Sequence, residues 1–271
     1  MESSEENDLK PYTNPSSGLR PRAVNALTHS AQWFFSKAHD YVYFNPRFNA
    51  HTTTTPITLY CVHGTADYPG SLRPLAQRLL DTNLPSTIEK IVLLNFSHRF
   101  KGKSVEFFAQ ELRQHIAQNH VQRVILIGHS RGGLINAYFA EFLAHDVQID
   151  ALINYAAPFQ GSKKARFPLT FFSNSVQEMR LSSEFLEALR QKINHSMYAY
   201  YFIAGPNDTL VANEHAIVPE YVEQHPHSSL ILSEPHGHLS MLESDEAMVF
   251  IHEILVQFEA FEPDLSRLRK M

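Results

Sequence analysis

The sequence predicts an α/β domain: a mostly parallel central sheet with helices on both faces. Three observations predict it. From Ile57 onward, short apolar runs alternate with longer segments of helical period. The 271 residues are enough for one such domain with a sizeable buried core. No internal repeat and no second domain interrupts the pattern, which is the rhythm of strands laid side by side with crossover helices between them.

Each element follows in order. Ile57–Val62 reads as a strand that ends at His63-Gly64, and Pro74–Leu80 reads as a helix. Lys90–Asn95 is a second strand. Ser104–Asn119 sets Val105, Phe108, Leu112 and Ile116 on one helical face, with Ser104 placed to cap the first turn. Arg123–Ile127 is a third strand, and Gly133–His145 carries Leu134, Ile135, Tyr138, Phe139 and Phe142 at helical spacing. Ala151–Tyr155 and Tyr198–Ile203 are further strands, separated by residues 162–197, which read as a small helical insertion, or cap, above the sheet. Ser229–Leu232 is a short last strand. Met248, Ile251, Leu255 and Phe258 mark a closing helix whose start, Ser244-Asp245-Glu246, puts acidic groups at the positive end of the helix dipole.

The segment before Ile57 is read differently. Residues 1–22 are polar and rich in Ser, Glu, Asn and Pro, so a disordered leader is expected there, followed by a single domain over 23–271. A helix is expected over 23–39 from the spacing of Val24, Leu27, Phe34 and Phe35. The clusters Trp33-Phe34-Phe35 and Tyr41-Val42-Tyr43-Phe44 either pack on the body of the domain or touch a membrane surface.

Composition excludes several classes. The net charge is −5 with no long basic block, which argues against a dedicated nucleic-acid binder. No apolar run approaches the about 20 residues needed to span a bilayer. The acidic, polar N-terminal segment lacks the apolar core of a secretory signal, so a cytoplasmic location is the default expectation, with signal-independent export left open. The single cysteine, Cys61, cannot form an internal disulfide and sits in an apolar run, where a buried, inert thiol is expected. The 16 histidines include the pairs His225/His227 and His236/His238, but no Cys or clustered carboxylate completes a zinc set, so no metal is expected. Met241 and Leu242 read as core.

Four motifs carry chemistry. Gly128-His129-Ser130-Arg131-Gly132 fits G-x-S-x-G, a serine on a sharp strand-to-helix turn, where small residues are needed because the chain reverses without room for a Cβ. Val62-His63-Gly64-Thr65 follows an earlier strand. Acyl transfer needs preorganised donors for a developing oxyanion, which nominates the backbone N–H groups of Thr65 and Arg131. Asp208, in Gly205-Pro206-Asn207-Asp208, lies on the loop after a strand, where a carboxylate can orient an imidazole. Pro235-His236-Gly237-His238-Leu239 follows the last strand and supplies two candidate bases. The Gly237-His238-Leu239 context favours His238, leaving His236 as a neighbour or a structural histidine. The order Ser, Asp, His is then complete.

These residues resemble an α/β-hydrolase, and more narrowly the bacterial triacylglycerol lipases and GPI-inositol-deacylase-like serine esterases. His63-Gly64, the Ser130 pentapeptide with Gly133, Asn207-Asp208 and Gly237-His238 match the catalytic motifs of that group. Ala157-Pro158-Phe159-Gln160-Gly161-Ser162 resembles an A-P-x-x-G-S loop of the lipases, and Val176–Leu181 with Ser183–Leu186 resembles the helix after it. The resemblance covers roughly residues 57–258. It implies hydrolysis of acyl esters by a Ser130-His238-Asp208 triad without a cofactor, acting on a small acyl ester or lipid. It also nominates His63, Phe159, Phe171 and Phe172 as substrate-binding residues. Phe167, Leu169, Phe171 and Phe172 either line an acyl pocket or anchor the insertion to the sheet. Thioesterase, phospholipase and acyltransferase chemistry on the same site are alternatives, as is a hydrolase-like scaffold that only binds a partner.

Overall fold

The computed structural model describes residues 39–65, 67–96, 102–165 and 173–259. The leader over 1–22, residues 23–38 of the expected helix, and Phe167, Leu169, Phe171 and Phe172 lie outside the described residues. The strands are β1 (Tyr41–Phe44), β2 (Ile57–Val62), β3 (Ile88–Leu94), β4 (Arg123–His129), β5 (Gln148–Tyr155), β6 (Tyr200–Ala204) and β7 (Ser229–Ile231). The helices are α1 (Arg73–Asp81), α2 (Val105–Gln118), α3 (Arg131–Tyr138), α4 (Asn174–Glu178), α5 (Glu184–Asn194), α6 (Pro219–Gln224) and α7 (Asp245–Leu255). The seven strands form one sheet in the order β1-β3-β2-β4-β5-β6-β7. All neighbours pair in parallel except β1, which runs antiparallel to β3.

The apolar runs are continuous because both faces of the sheet are covered. Successive side chains point to opposite faces. Tyr60, Val62, Val124 and Leu126 pack with residues of α2, α3 and α5. Leu59, Cys61, Ile125 and Ile127 pack with residues of α1 and α7 on the other face. Cys61 is fully buried, and burial pushes its thiol up to about 12, so it carries no thiolate at neutral pH.

Serine hydroxyls cap three of the helices. Ser104 accepts the N–H of Phe107, Ser183 that of Leu186 and Ser244 that of Ala247. Asp245 and Glu246 stand in the first turn of α7, complementing its dipole. The described part of the insertion contains α4 and α5. Leu186, Leu189 and Ile193 of α5 join the same core as α2 and α3.

Two features differ from the sequence expectation. Tyr41–Phe44 is an edge strand, with Tyr41 and Tyr43 turned to the core and Val42 and Phe44 turned outward. Asp40 fastens it, accepting the N–H of Asn95 at 2.7 Å and meeting His115 Nε2 of α2 at 2.6 Å. The helix expected from Gly133 begins at Arg131, immediately after Ser130, and it ends in a π turn over Phe139–Leu143.

The early start of α3 depends on Gly132. A Cβ there would lie 2.0 Å from the Val62 carbonyl oxygen, which is backbone in a central strand and has nowhere to go. Alanine is worth up to about 1 kcal/mol over glycine in a helix, but forcing an extra carbon into a packed interior costs about 1–3 kcal/mol or more. The clash therefore wins. Gly132→Ala is expected to lower stability by at least about 1 kcal/mol in urea unfolding. Gly237→Ala, whose nearest neighbour would be Ser240 Oγ at 3.9 Å, should stay within about 0.5 kcal/mol of the parent. Equal unfolding midpoints for the two variants would refute this account of the turn.

Candidate active site

The motifs meet where β2, β4, β6 and β7 end. Ser130 follows the last residue of β4 and precedes the first of α3. Its backbone lies at φ 54°, ψ −125°, a region that residues with a Cβ rarely adopt. The strain, of the order of 1–3 kcal/mol, is held in place by the surrounding hydrogen bonds. Ser130 N–H donates to the Tyr155 carbonyl at 2.8 Å, and the Ser130 carbonyl accepts from Gly133 N–H at 3.0 Å. The helix can start this close to the sheet because a Cβ on Gly128 would strike the backbone of Gly133 at 2.5 Å. Ser130 is half-buried, and its hydroxyl has no hydrogen-bond partner among the described residues.

Asp208 and His238 come together. His238 Nδ1 lies 2.7 Å from Asp208 Oδ2. Asp208 Oδ1 accepts the N–H groups of Leu210 and Val211 at 2.8 and 3.0 Å, which leaves Oδ2 aimed at the imidazole. A carboxylate oxygen at this distance requires the proton on Nδ1, so Nε2 of neutral His238 is the free base. His236 stands apart, with Nε2 3.7 Å from an exposed Glu234 carboxylate. The structure thus pairs Asp208 with His238, and His236 with another acid.

His129 joins this group from the nucleophile side. It is buried, its ring centroid lies 4.7 Å from that of His238, and its Nε2–H donates to the His238 carbonyl at 2.8 Å. Burial, with the nearby His238, depresses its pKa to about 4, so it is neutral at physiological pH. His129 therefore ties the loop of His238 to the residue before Ser130 without adding a positive charge.

The His63-Gly64 loop lies against the elbow. A Cβ on Gly64 would stand 3.1 Å from Ser130 Cβ. Thr65 is exposed, whereas the Arg131 side chain is buried. His63 and Phe159, read from the sequence as substrate-binding residues, are both fully buried. His63 packs edge-on against Phe96 and donates from Nδ1 to the Gly64 carbonyl, and Phe159 packs edge-on against Phe202. The side-chain roles of His129 and Arg131 were missed in the sequence, where they occupy the variable positions of G-x-S-x-G. The available signal was a ring and a guanidinium set among glycines at a buried turn.

This architecture, a mostly parallel sheet with a serine elbow between its central strand and a covering helix, is the α/β-hydrolase fold. The model of the lecithin:cholesterol acyltransferase family matches residues 89–218, which include Ser130 and Asp208. Among solved structures, a mature lipase of Bacillus licheniformis superposes with TM-score 0.58 at 14% identity, covering 81% of this chain and 99% of that one. A Paleococcus ferrophilus monoacylglycerol lipase gives TM-score 0.57 at 14% identity, with 82% and 98% covered. A lipase-esterase related protein of Clostridium acetobutylicum gives 0.52 at 14% identity, with 81% and 98% covered. Comparison with curated protein sequences found no match. No helix among the described residues is long and apolar enough to cross a membrane.

The Asp208 carboxyl lies below its ordinary range. Burial alone would raise it, but the hydrogen bond and charge of His238 and the N–H groups of Val211 and Leu210 outweigh burial. A carboxyl depressed on folding adds stability above its unfolded value, about 3.9, and loses it as pH falls through the lower folded value. The stability gap between the parent and Asp208→Asn should therefore be present above about pH 4 and shrink as pH falls below it. Urea midpoints at a series of pH values check this, and a gap as large at pH 3 as at pH 7 would contradict it.

Proposed function

We propose that this protein is a serine hydrolase that cleaves carboxylic esters, with Ser130 as nucleophile, His238 as base and Asp208 as the orienting acid. The observation that carries the reading is the 2.7 Å contact between His238 Nδ1 and Asp208 beside the strained serine elbow. The fold alone would not carry it, since one architecture serves many activities.

The chemistry is two-step acyl transfer. His238 Nε2 takes the Ser130 proton as Oγ attacks the ester carbonyl. The N–H groups of Thr65 and Arg131 receive the oxyanion. His238 gives its proton to the departing alcohol, leaving an acyl ester on Ser130. Water, deprotonated by His238, attacks that ester and releases the acid and the free serine. Asp208 holds the productive tautomer throughout and offsets the charge of the imidazolium. No cofactor enters these steps.

One observation favours a second reading. The matching family model is named for an acyltransferase, and an alcohol in place of water in the second step would turn hydrolysis into acyl transfer. The acyl-enzyme is common to both. Adding an alcohol acceptor and measuring the ratio of new ester to free acid separates them. A series of p-nitrophenyl esters of increasing chain length sets the acyl preference.

The test of the reading is covalent. A fluorophosphonate should label the intact protein once, at Ser130, and Ser130→Ala should abolish labelling while the circular dichroism spectrum is kept. Esterase activity should fall by about 10⁴-fold or more in Ser130→Ala and in His238→Ala, and only modestly in His236→Ala. Labelling of another serine would refute the nucleophile, and loss of activity in His236→Ala alone would move the base.

A further inference from the structure

We propose that the buried Arg131 side chain is a positioning residue that sets the oxyanion hole by fixing the Gly64–Thr65 peptide, a role that rests on the serine-hydrolase reading above. The Gly64 carbonyl lies 3.0 Å from His63 Nδ1 and 3.4 Å from Arg131 Nη2. A carbonyl only accepts, so both nitrogens donate to it. A trans peptide is planar, with its C=O and N–H on opposite sides. Anchoring the Gly64 oxygen to two buried groups turns the Thr65 N–H to the opposite side of that peptide; Thr65 is exposed, and a Cβ on Gly64 would stand 3.1 Å from Ser130 Cβ. Arg131 thus bears on both donors of the hole. Its own backbone N–H is one, and its side chain orients the other.

The guanidinium is itself held on several sides. Nη1 donates to Ser175 Oγ of α4 at 3.1 Å, and Cζ sits 4.3 Å above the centre of the Phe108 ring of α2. The Ser175 hydroxyl lies 3.2 Å from that of Ser173. The carboxylates of Asp67 and Glu178 favour the charge, and although burial pulls the pKa down to about 10, the group remains cationic at neutral pH. Arg131 Nε has no hydrogen-bond partner among the described residues. A buried charge with an unsatisfied donor is costly, whereas an apolar side chain would fill the same space without that cost. Geometry at the Gly64 carbonyl supplies what an apolar side chain cannot. The link through Ser175 also connects the insertion to the hole.

The experiment uses Arg131→Met, which keeps an unbranched stem and removes every donor, and Ser175→Ala, which frees one arm of the guanidinium and leaves its charge. Arg131→Met should lower kcat by about 10- to 100-fold with KM little changed, since complete loss of an oxyanion donor costs about 10²–10³ and a misdirected one costs less. Ser175→Ala should move kcat the same way by a smaller factor. A trifluoromethyl ketone, whose adduct with Ser130 carries an oxyanion, should lose affinity in parallel with kcat. A non-hydrolysable ether analogue of the ester, which carries none, should bind unchanged. Unchanged kcat and ketone affinity in Arg131→Met would overturn the proposal, as would equal losses for ketone and ether. If Arg131→Met fails to fold, Ser175→Ala decides by the same two inhibitors. Parent protein that neither hydrolyses esters nor reacts with fluorophosphonate would instead defeat the serine-hydrolase reading itself.

Discussion

The close approach of α3 to β2 governs the geometry of the site. Gly132 allows no side chain because its Cβ would lie 2.0 Å from the Val62 carbonyl oxygen, and Gly133 allows none because its Cβ would meet that of Ala157 at 2.4 Å. These contacts bring the helix down onto the end of the sheet within one residue of β4. The reversal forces Ser130 to φ 54°. A residue with a Cβ pays strain there, and the strain persists because β4 is central, flanked by β2 and β5 along its length. The strained turn at Ser130 is a consequence of a packing constraint two residues away.

From that turn the rest of the site is assembled by backbone more than by side-chain pairs. Tyr155 receives the Ser130 N–H, the His238 carbonyl receives His129, and the Gly64 carbonyl receives His63 and Arg131. Main-chain acceptors do not change charge and have few rotations to lose, so they fix loops at low entropic cost. Asp208 follows the same logic, with one oxygen occupied by two backbone donors so that the other is left for His238.

Much of this was legible in the sequence, for physical reasons that differ by element. Strands buried on both faces write themselves as unbroken apolar runs, which is why β2, β4 and β5 were read near their true positions. The serine elbow was legible because a steric demand for glycine is local. β1 was not read as a strand. It has four residues and one buried side, and it is secured by Asp40 to His115, a partner 75 positions away. The same holds for His129 and His238, 109 positions apart, and for Arg131 and Gly64, 67 apart. A motif states which residue types surround a serine, but not which carbonyl a variable position will reach. His63 and Phe159, also read as substrate-binding residues, are both fully buried, which the sequence around them did not indicate.

The electrostatics of the site turn on where positive charge is admitted. His238 must become cationic during turnover if it is the base, and that charge is answered by Asp208. A second cation in contact with His238 would oppose it. His129 is in contact, and burial keeps it neutral. Arg131 is cationic, but its charge is turned toward α2, α4 and the Gly64 carbonyl, with Asp67 and Glu178 near enough to favour it. The two variable positions of one pentapeptide are thus treated oppositely. The one that touches the candidate base is stripped of charge, and the one that touches the Gly64 carbonyl retains it. Exchanging the two residues would place a cation beside the imidazolium and leave the Gly64 peptide with a single donor, so the arrangement is directional even though both side chains are buried.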